Sequence, residues 1–344
     1  MFKKLLQTKI SLPYVAIPAL IALAILLFLK MRPESVQDTR DLAPTLTATT
    51  DEGPDCGDSS FRLKGFQYIK PLVNESRECE SPRYASLKEN IKNLVDDETK
   101  AGTITAASVY IKSFGQGEDW TSVYPHIAYA PASLGKVPIL ITYLKKSETT
   151  PGLLDKDVHY VKDSRPIPAQ NFKFDSITPG HTYKVKDLLY YMIANSDNHA
   201  TSLLQDNIDF ADFRKTFTDL GMDASKLVDT NYKFRAREFS IFLEALYNAG
   251  YLNITSSEYG SSLLAQCKFK DGILKKLPPQ VKAIHKFGEY AAGNERQLHE
   301  SAIIYINNNA YLITIMTKGN DFSKLSDLMG QISKMVYDYM NMSV

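Results

Sequence analysis

Little in this chain is extreme, and several shortages are informative. Cysteine is scarce, with three in 344 residues, too few for a disulfide-built scaffold. Cys56 and Cys79 would close a loop in an oxidising compartment, but Cys267 is left over and an odd count leaves the pairing open. Charge of one sign is also missing: 40 Lys and Arg stand against 39 Asp and Glu, a net charge of +1. There is therefore no basic field to attract nucleic acid, and neither an RNA-binding signature nor a zinc-finger spacing occurs. The six histidines (His126, His159, His181, His199, His285 and His299) show no H-x-x-x-H or H-x-x-E-H spacing, which argues against a metal site. No internal repeat is visible. With 44% hydrophobic and 23% charged residues the composition is that of a globular protein.

The first part to stand out is the N-terminus. A short basic segment, 1–9, precedes positions 10–29 (ISLPYVAIPALIALAILLFL), which carry no charge and are long enough to cross a bilayer. A cleaved signal peptide has a shorter apolar core ending in small residues, whereas this run ends in LLFLK. The sequence thus predicts an uncleaved transmembrane anchor over 10–30. Three lysines and the amino terminus before it favour an extracytoplasmic body, making a single-pass cell-membrane protein. Residues 31–60, rich in Pro, Thr, Ser and Asp, cannot bury enough apolar surface to fold and are expected to form a disordered tether. The rest, 61–344, suits one domain.

Within that domain, 83–100 has apolar groups at helical spacing, and ITAASVYIKSF and TSVYPHIAYA read as a hairpin around GQGED. Residues 133–146 read as helix, 163–181 as a loop, and helical patterns dominate 185–268. Strands return in VKAIHKFG, SAIIYIN and AYLITIMTKG, with a loop over 289–298 and a closing helix from DFSKLSDLMG onward. The order predicts an α+β fold. An antiparallel sheet is assembled from both ends of the domain and flanked by its N- and C-terminal helices, with an all-helical subdomain inserted and a cleft at the seam.

Three short stretches carry chemistry. In PASLGKVPIL, Ser133 and Lys136 are one helical turn apart on one face, and Ser133 lies near a helix start where developing negative charge is favoured. A serine is a poor nucleophile until a neighbouring base takes its proton, and a desolvated lysine supplies one. In LLYYMIANSDNHATSLL, Ser196-Asp197-Asn198 breaks two apolar helical runs. Taken alone it is a turn with Ser as helix cap. In HKFG, Lys286 and Gly288 sit on a predicted strand; alone, Lys286 would pass for an edge-strand lysine.

In this order, S-x-x-K, S-D-N and a K-x-G triplet resemble the class A β-lactamase-like serine hydrolases, over roughly residues 83–344. The resemblance implies that Ser133 is acylated with Lys136 as its proton partner. Ser196 would pass the proton to the leaving nitrogen, while Asn198 and Lys286 hold the substrate amide and carboxylate. The backbone N–H groups of Ser133 and Glu289, the latter one place after Gly288, would form the oxyanion hole. No cofactor is implied, the partner is a small-molecule β-lactam or cell-wall peptide, and the catalytic domain is expected to be monomeric.

Two departures from the family pattern follow. K-F-G replaces K-T-G, so Phe287 stands where a hydroxyl would contact the substrate carboxylate; Arg296 either supplies that contact or is a solvated loop residue. No E-x-x-L-N loop with its deacylating glutamate lies between Asn198 and Lys286. In the stretch 220–243, which runs almost directly from one helix into the next, the carboxylates are Asp223, Asp229 and Glu238, with Asp229 the weak candidate. The sequence therefore predicts a β-lactamase-type enzyme with slow deacylation. A D-alanyl-D-alanine peptidase of the penicillin-binding-protein kind is the alternative, and a non-catalytic domain binding wall peptides or a partner protein is a third.

Overall fold

The β-branched and aromatic run ITAASVYIKS becomes the strand β3 (Ile104–Ser113), and its alternation decides how the domain is layered. Val109 and Ile111 enter one apolar core while Tyr110 enters the other, as successive side chains on a strand must. The computed structural model describes residues 58–62, 72–77, 79–114, 119–162, 169–228, 232–306 and 309–342. They belong to one compact unit, Pro54–Val344. The predicted anchor over 10–30 and nearly all of the tether lie outside the described residues. Among the described residues, no helix is long and apolar enough to cross a membrane.

A small pair of strands, β1 (Asp58–Arg62) and β2 (Leu72–Arg77), opens the chain and takes in the last three residues of the segment read as a tether. Helix α1 (Ala85–Lys100) follows. Next come β3 and β4 (Trp120–Val123), and much later β7 (Lys282–Ala292), β8 (Glu295–Ile306) and β9 (Asn309–Gly319). They form one five-stranded antiparallel sheet in the order β4-β3-β9-β8-β7. Pairing of β3 with β9 joins the two ends of the domain. One face packs on α1 and the closing helix α8 (Phe322–Met342) through Leu87, Ile91, Leu328 and Ile332. The other face meets the inserted helices: α2 (Lys136–Ser147), α3 (Val185–Ala194), α4 (Asn198–Asp206), α5 (Phe210–Asp219), α6 (Ala236–Tyr247) and α7 (Ile254–Ala265). The fold is the α+β arrangement expected.

Two local expectations need correction. Residues 289–298 are not a loop but the hairpin of β7 and β8. Ala292 pairs with Glu295 across a two-residue turn in which Gly293 takes φ +54°, a conformation glycine adopts without a Cβ clash. The loop before α3 is bounded by a short hairpin, β5 (Asp157–His159) with β6 (Thr182–Lys184), too brief to show as an apolar pattern. Of the cysteines, Cys79 is disulfide-bonded, Cys267 is a free buried thiol, and Cys56 lies outside the described residues.

Candidate active site

Ser133 does not sit in the α-helix itself. It occupies a 3-10 turn, Ala132–Gly135, that runs into α2 at Lys136. Ala132 adopts φ +49°, a left-handed conformation costly for a residue with a Cβ, and the Leu134 N–H donates to the Pro131 carbonyl at 3.0 Å. The sheet's edge strand passes directly over this turn: a Cβ on Gly288 would lie 2.9 Å from the Leu134 nitrogen and 3.1 Å from that of Ser133. Only a glycine lets β7 come this close, which brings the backbone of 288–289 beside the serine's N–H.

Lys136 is buried at the start of α2. Its Nζ donates to Asn198 Oδ1 at 2.8 Å, to Ser196 Oγ at 3.2 Å and to the Ser196 carbonyl. Across the cleft, Lys286 Nζ donates to the same Ser196 Oγ at 2.9 Å and to the Phe287 carbonyl at 2.8 Å. One hydroxyl therefore lies between two amines that both meet neutral oxygens. Burial, with the positive Lys286 beside it, holds Lys136 well below the ordinary lysine range, and burial lowers Lys286 to about 8. An amine in that condition is able to accept a proton near neutral pH. β7 is an edge strand, yet Lys286 is fully buried, because the helical block closes over it.

The turn that delivers Ser196 is strained. Ser196 takes φ +54°, and the cap of α4 is Asp197 rather than Ser196, its carboxylate accepting from the His199 N–H at 2.8 Å. The same carboxylate takes Ser176 Oγ at 2.9 Å and the Ile177 N–H at 2.8 Å. Asp197 thus frees the Ser196 hydroxyl from capping and pins the turn to the preceding loop. Of the seven residues singled out from the sequence, Lys136, Ser196, Asn198 and Lys286 form one hydrogen-bonded group. Gly288 lies on the Ser133 turn, and Glu289 follows it on β7.

A model of the Beta-lactamase enzyme family matches residues 86–340. The chain belongs to this beta-lactamase family. Solved structures similar to it include PBP-A, 20% identical over 75% of this chain and 97% of that one, with a TM-score of 0.63. A β-lactamase from Chitinophaga pinensis is 16% identical over 73% and 100%, with a TM-score of 0.63. A class A β-lactamase from Mycobacterium abscessus is 17% identical over 74% and 99%, with a TM-score of 0.61. At these identities the likeness establishes the shared fold. No curated protein matches the sequence.

Within this beta-lactamase fold the departures take a definite form. Phe287 is fully buried and stacked on Phe269 with ring centres 4.1 Å apart, and Lys286 Nζ lies over its ring, 4.3 Å from the centroid. The phenyl ring stands beside the Lys286 ammonium, where the family pattern has a hydroxyl. Arg296 belongs to the β7–β8 hairpin, where Nη1 donates to the Gly293 and Glu295 carbonyls. The Glu238 carboxylate accepts the Arg235 N–H at 2.9 Å, capping α6, and Asp223 caps its own turn through the Ser225 N–H at 3.0 Å. Asp229 lies outside the described residues.

Sequence reasoning missed two groups. One is the Glu289 side chain, singled out only for its N–H. Its carboxylate accepts the N–H groups of Asn171 at 2.9 Å and Phe172 at 3.1 Å; burial raises its pKa against the pull of these donors and of both lysines. The other is His285, whose Nδ1 donates to Glu300 Oε1 at 2.6 Å while Glu300 Oε2 accepts the Ile273 N–H. Burial works against its charge, yet Cys267 and Glu300 together raise His285 to about 9. Neither group has a signal at short range, since their partners lie 15 to 118 positions away.

Proposed function

We propose that this chain is a serine hydrolase that forms an acyl-enzyme on Ser133 with a β-lactam or a related cyclic or peptide amide. The observation that carries the reading is the buried Lys136, hydrogen-bonded to the neutral oxygens of Ser196 and Asn198 and held well below the ordinary lysine range by burial and Lys286, against the pull of Asp197 and Glu289. Neutral Lys136 takes the Ser133 proton as Oγ attacks the carbonyl carbon. Charge develops on the carbonyl oxygen against the N–H groups of Ser133 and Glu289. Lys136 then returns its proton through Ser196, which protonates the leaving nitrogen as the C–N bond breaks and the ester remains on Ser133. Lys286 holds the Ser196 hydroxyl in this path.

Release of the ester needs a positioned base for water. In the stretch 220–243, the described carboxylates Asp223 and Glu238 are both engaged in caps, and no E-x-x-L-N motif lies between Asn198 and Lys286. We therefore infer a burst of acylation followed by slow turnover. The same feature favours the second reading, a D-alanyl-D-alanine peptidase acting on cell-wall peptides, which fits the likeness to PBP-A. The N-terminal run 10–30 is proposed to anchor the domain outside the cell membrane; its apolar length supports this, and external protease should then cut within 31–60.

The test is an intact-mass measurement on the full-length protein treated with a fluorescent penicillin. One adduct mapped to Ser133 is expected. An adduct that survives Ser133→Ala would overturn the mechanism, and multiple turnovers of a chromogenic cephalosporin without a burst would overturn slow deacylation.

A further inference from the structure

Residues 169–177 run from one lip of the cleft to the other. On the helical side, Gln170 Nε2 donates to the Ser196 carbonyl at 3.1 Å. Asn195 Nδ2 donates to the Asp175 carbonyl at 2.8 Å, Lys268 Nζ to the Asp175 carboxylate at 2.8 Å, and Ser176 and Ile177 bind Asp197. On the sheet side, the consecutive N–H groups of Asn171 and Phe172 fall on the two oxygens of Glu289. The Phe172 ring packs edge-on against Phe269, Phe287 and Phe322 with centroids 4.9 to 6.0 Å apart. The segment is a strap hinged at 175–177 and fastened to β7 three places after Lys286.

Resting on the acyl-enzyme reading above, we propose that Glu289 is a specificity-determining residue. Its carboxylate latches this strap across the cleft and slows acylation by donors that carry a carboxylate at the Lys286 end relative to those that carry none. Two adjacent N–H groups make a natural seat for a carboxylate, and Glu289 already fills it from within the chain. Its charge also acts on Lys136 and Lys286, so an incoming anion meets a like charge where the two amines alone would have welcomed it. No hydroxyl offsets this, because position 287 brings a phenyl ring, 4.3 Å from Lys286 Nζ and stacked on Phe269. An amide or amine at that end meets no such opposition and finds in Glu289 an acceptor. The site therefore selects donors that are uncharged or cationic beside the scissile amide.

The experiment compares full-length wild type with Glu289→Gln, which removes the charge and keeps an acceptor of the same size. Acylation rates are measured with a penicillin and with its methyl ester. The acid-to-ester rate ratio should rise at least about tenfold in the variant, given that like charges in contact oppose binding strongly; an unchanged ratio overturns the proposal. Amide hydrogen exchange gives a readout free of activity. In Glu289→Ala, exchange at Asn171 and Phe172 should speed at least about tenfold while α8 keeps its protection, and unchanged exchange at both overturns the latch. Labelling of wild-type Ser133 by a small uncharged fluorophosphonate separates the two readings. Its failure sinks the acyl-enzyme proposal, and the exchange result still decides whether Glu289 fastens the strap.

Discussion

Two regions of this molecule bury lysine on the same side of one sheet, and they do it in opposite ways. Lys112 on β3 is fully buried and donates to Glu244 Oε2 of α6 at 2.9 Å, charge against charge, binding the sheet to a helix. Lys286 on β7, with Lys136 opposite, is as deeply buried, but its Nζ meets a hydroxyl and a carbonyl. A buried ammonium matched by a carboxylate keeps its proton and serves structure. One matched by neutral oxygens holds its proton loosely and is fit for proton transfer. The polar partners, more than depth, separate the two roles.

Substitutions at the lysines break the contrast most directly. Lys136→Ala should slow acylation by at least about 10²-fold, the scale of lost general-base catalysis, in stopped-flow assays, without lowering the unfolding midpoint in urea. Lys112→Met should do the reverse. It removes the cation that Lys112 sets against the buried Glu244 carboxylate, costing about 3–5 kcal/mol in urea unfolding, while the folded fraction acylates normally. A loss of acylation with Lys112→Met that exceeds its unfolded fraction would merge the two sites. Next in size, Gly288→Ala forces β7 off the Ser133 turn. A displacement near 1 Å should cut acylation by about 10²-fold with little change in stability, checked by kinetics and thermal unfolding together.

The smallest effect sharpens the comparison through pH. Folded Lys286 releases its proton near 8, against 10.5 when free. Between those values the unfolded chain binds the proton that the folded chain has given up, so this group's contribution to stability rises with pH. Lys286→Met should abolish that rise in urea unfolding measured from pH 8 to 10.5. His285, raised from 6.5 to about 9, works the other way: its contribution is full below 6.5 and is lost as pH passes 9. The difference between wild type and Lys286→Met therefore isolates the lysine, and a flat difference across the window would refute its lowered pKa.

Much of the frame was legible in the chain. The pattern in ITAASVYIKS and AYLITIMTKG shows strands at both ends, and the apolar helical spacing over 185–268 shows the inserted block. Where the pattern misled, at 289–298, alternation had given way to Glu, Tyr, Gln and Arg, residues that look like loop but are held in register by eleven paired positions of β7 and β8. For the candidate site, Ser133, Lys136, Ser196, Asn198 and Lys286 stood out only through their three short stretches taken together, since each stretch alone passes for ordinary structure.

What the sequence determined by itself was the inventory and its order, because helix spacing, strand alternation and three short motifs are properties of neighbours along the chain. Tertiary structure alone decided what each group does. It placed Lys286 within hydrogen-bond reach of a serine ninety positions away and hydrogen-bonded Lys112 to a carboxylate but Lys136 to neutral oxygens. It stacked Phe287 on Phe269 beside the Lys286 ammonium and closed the strap onto Glu289. Charge state, burial and access depend on which distant segments meet, and that is settled only when the sheet closes its two ends around the helical block.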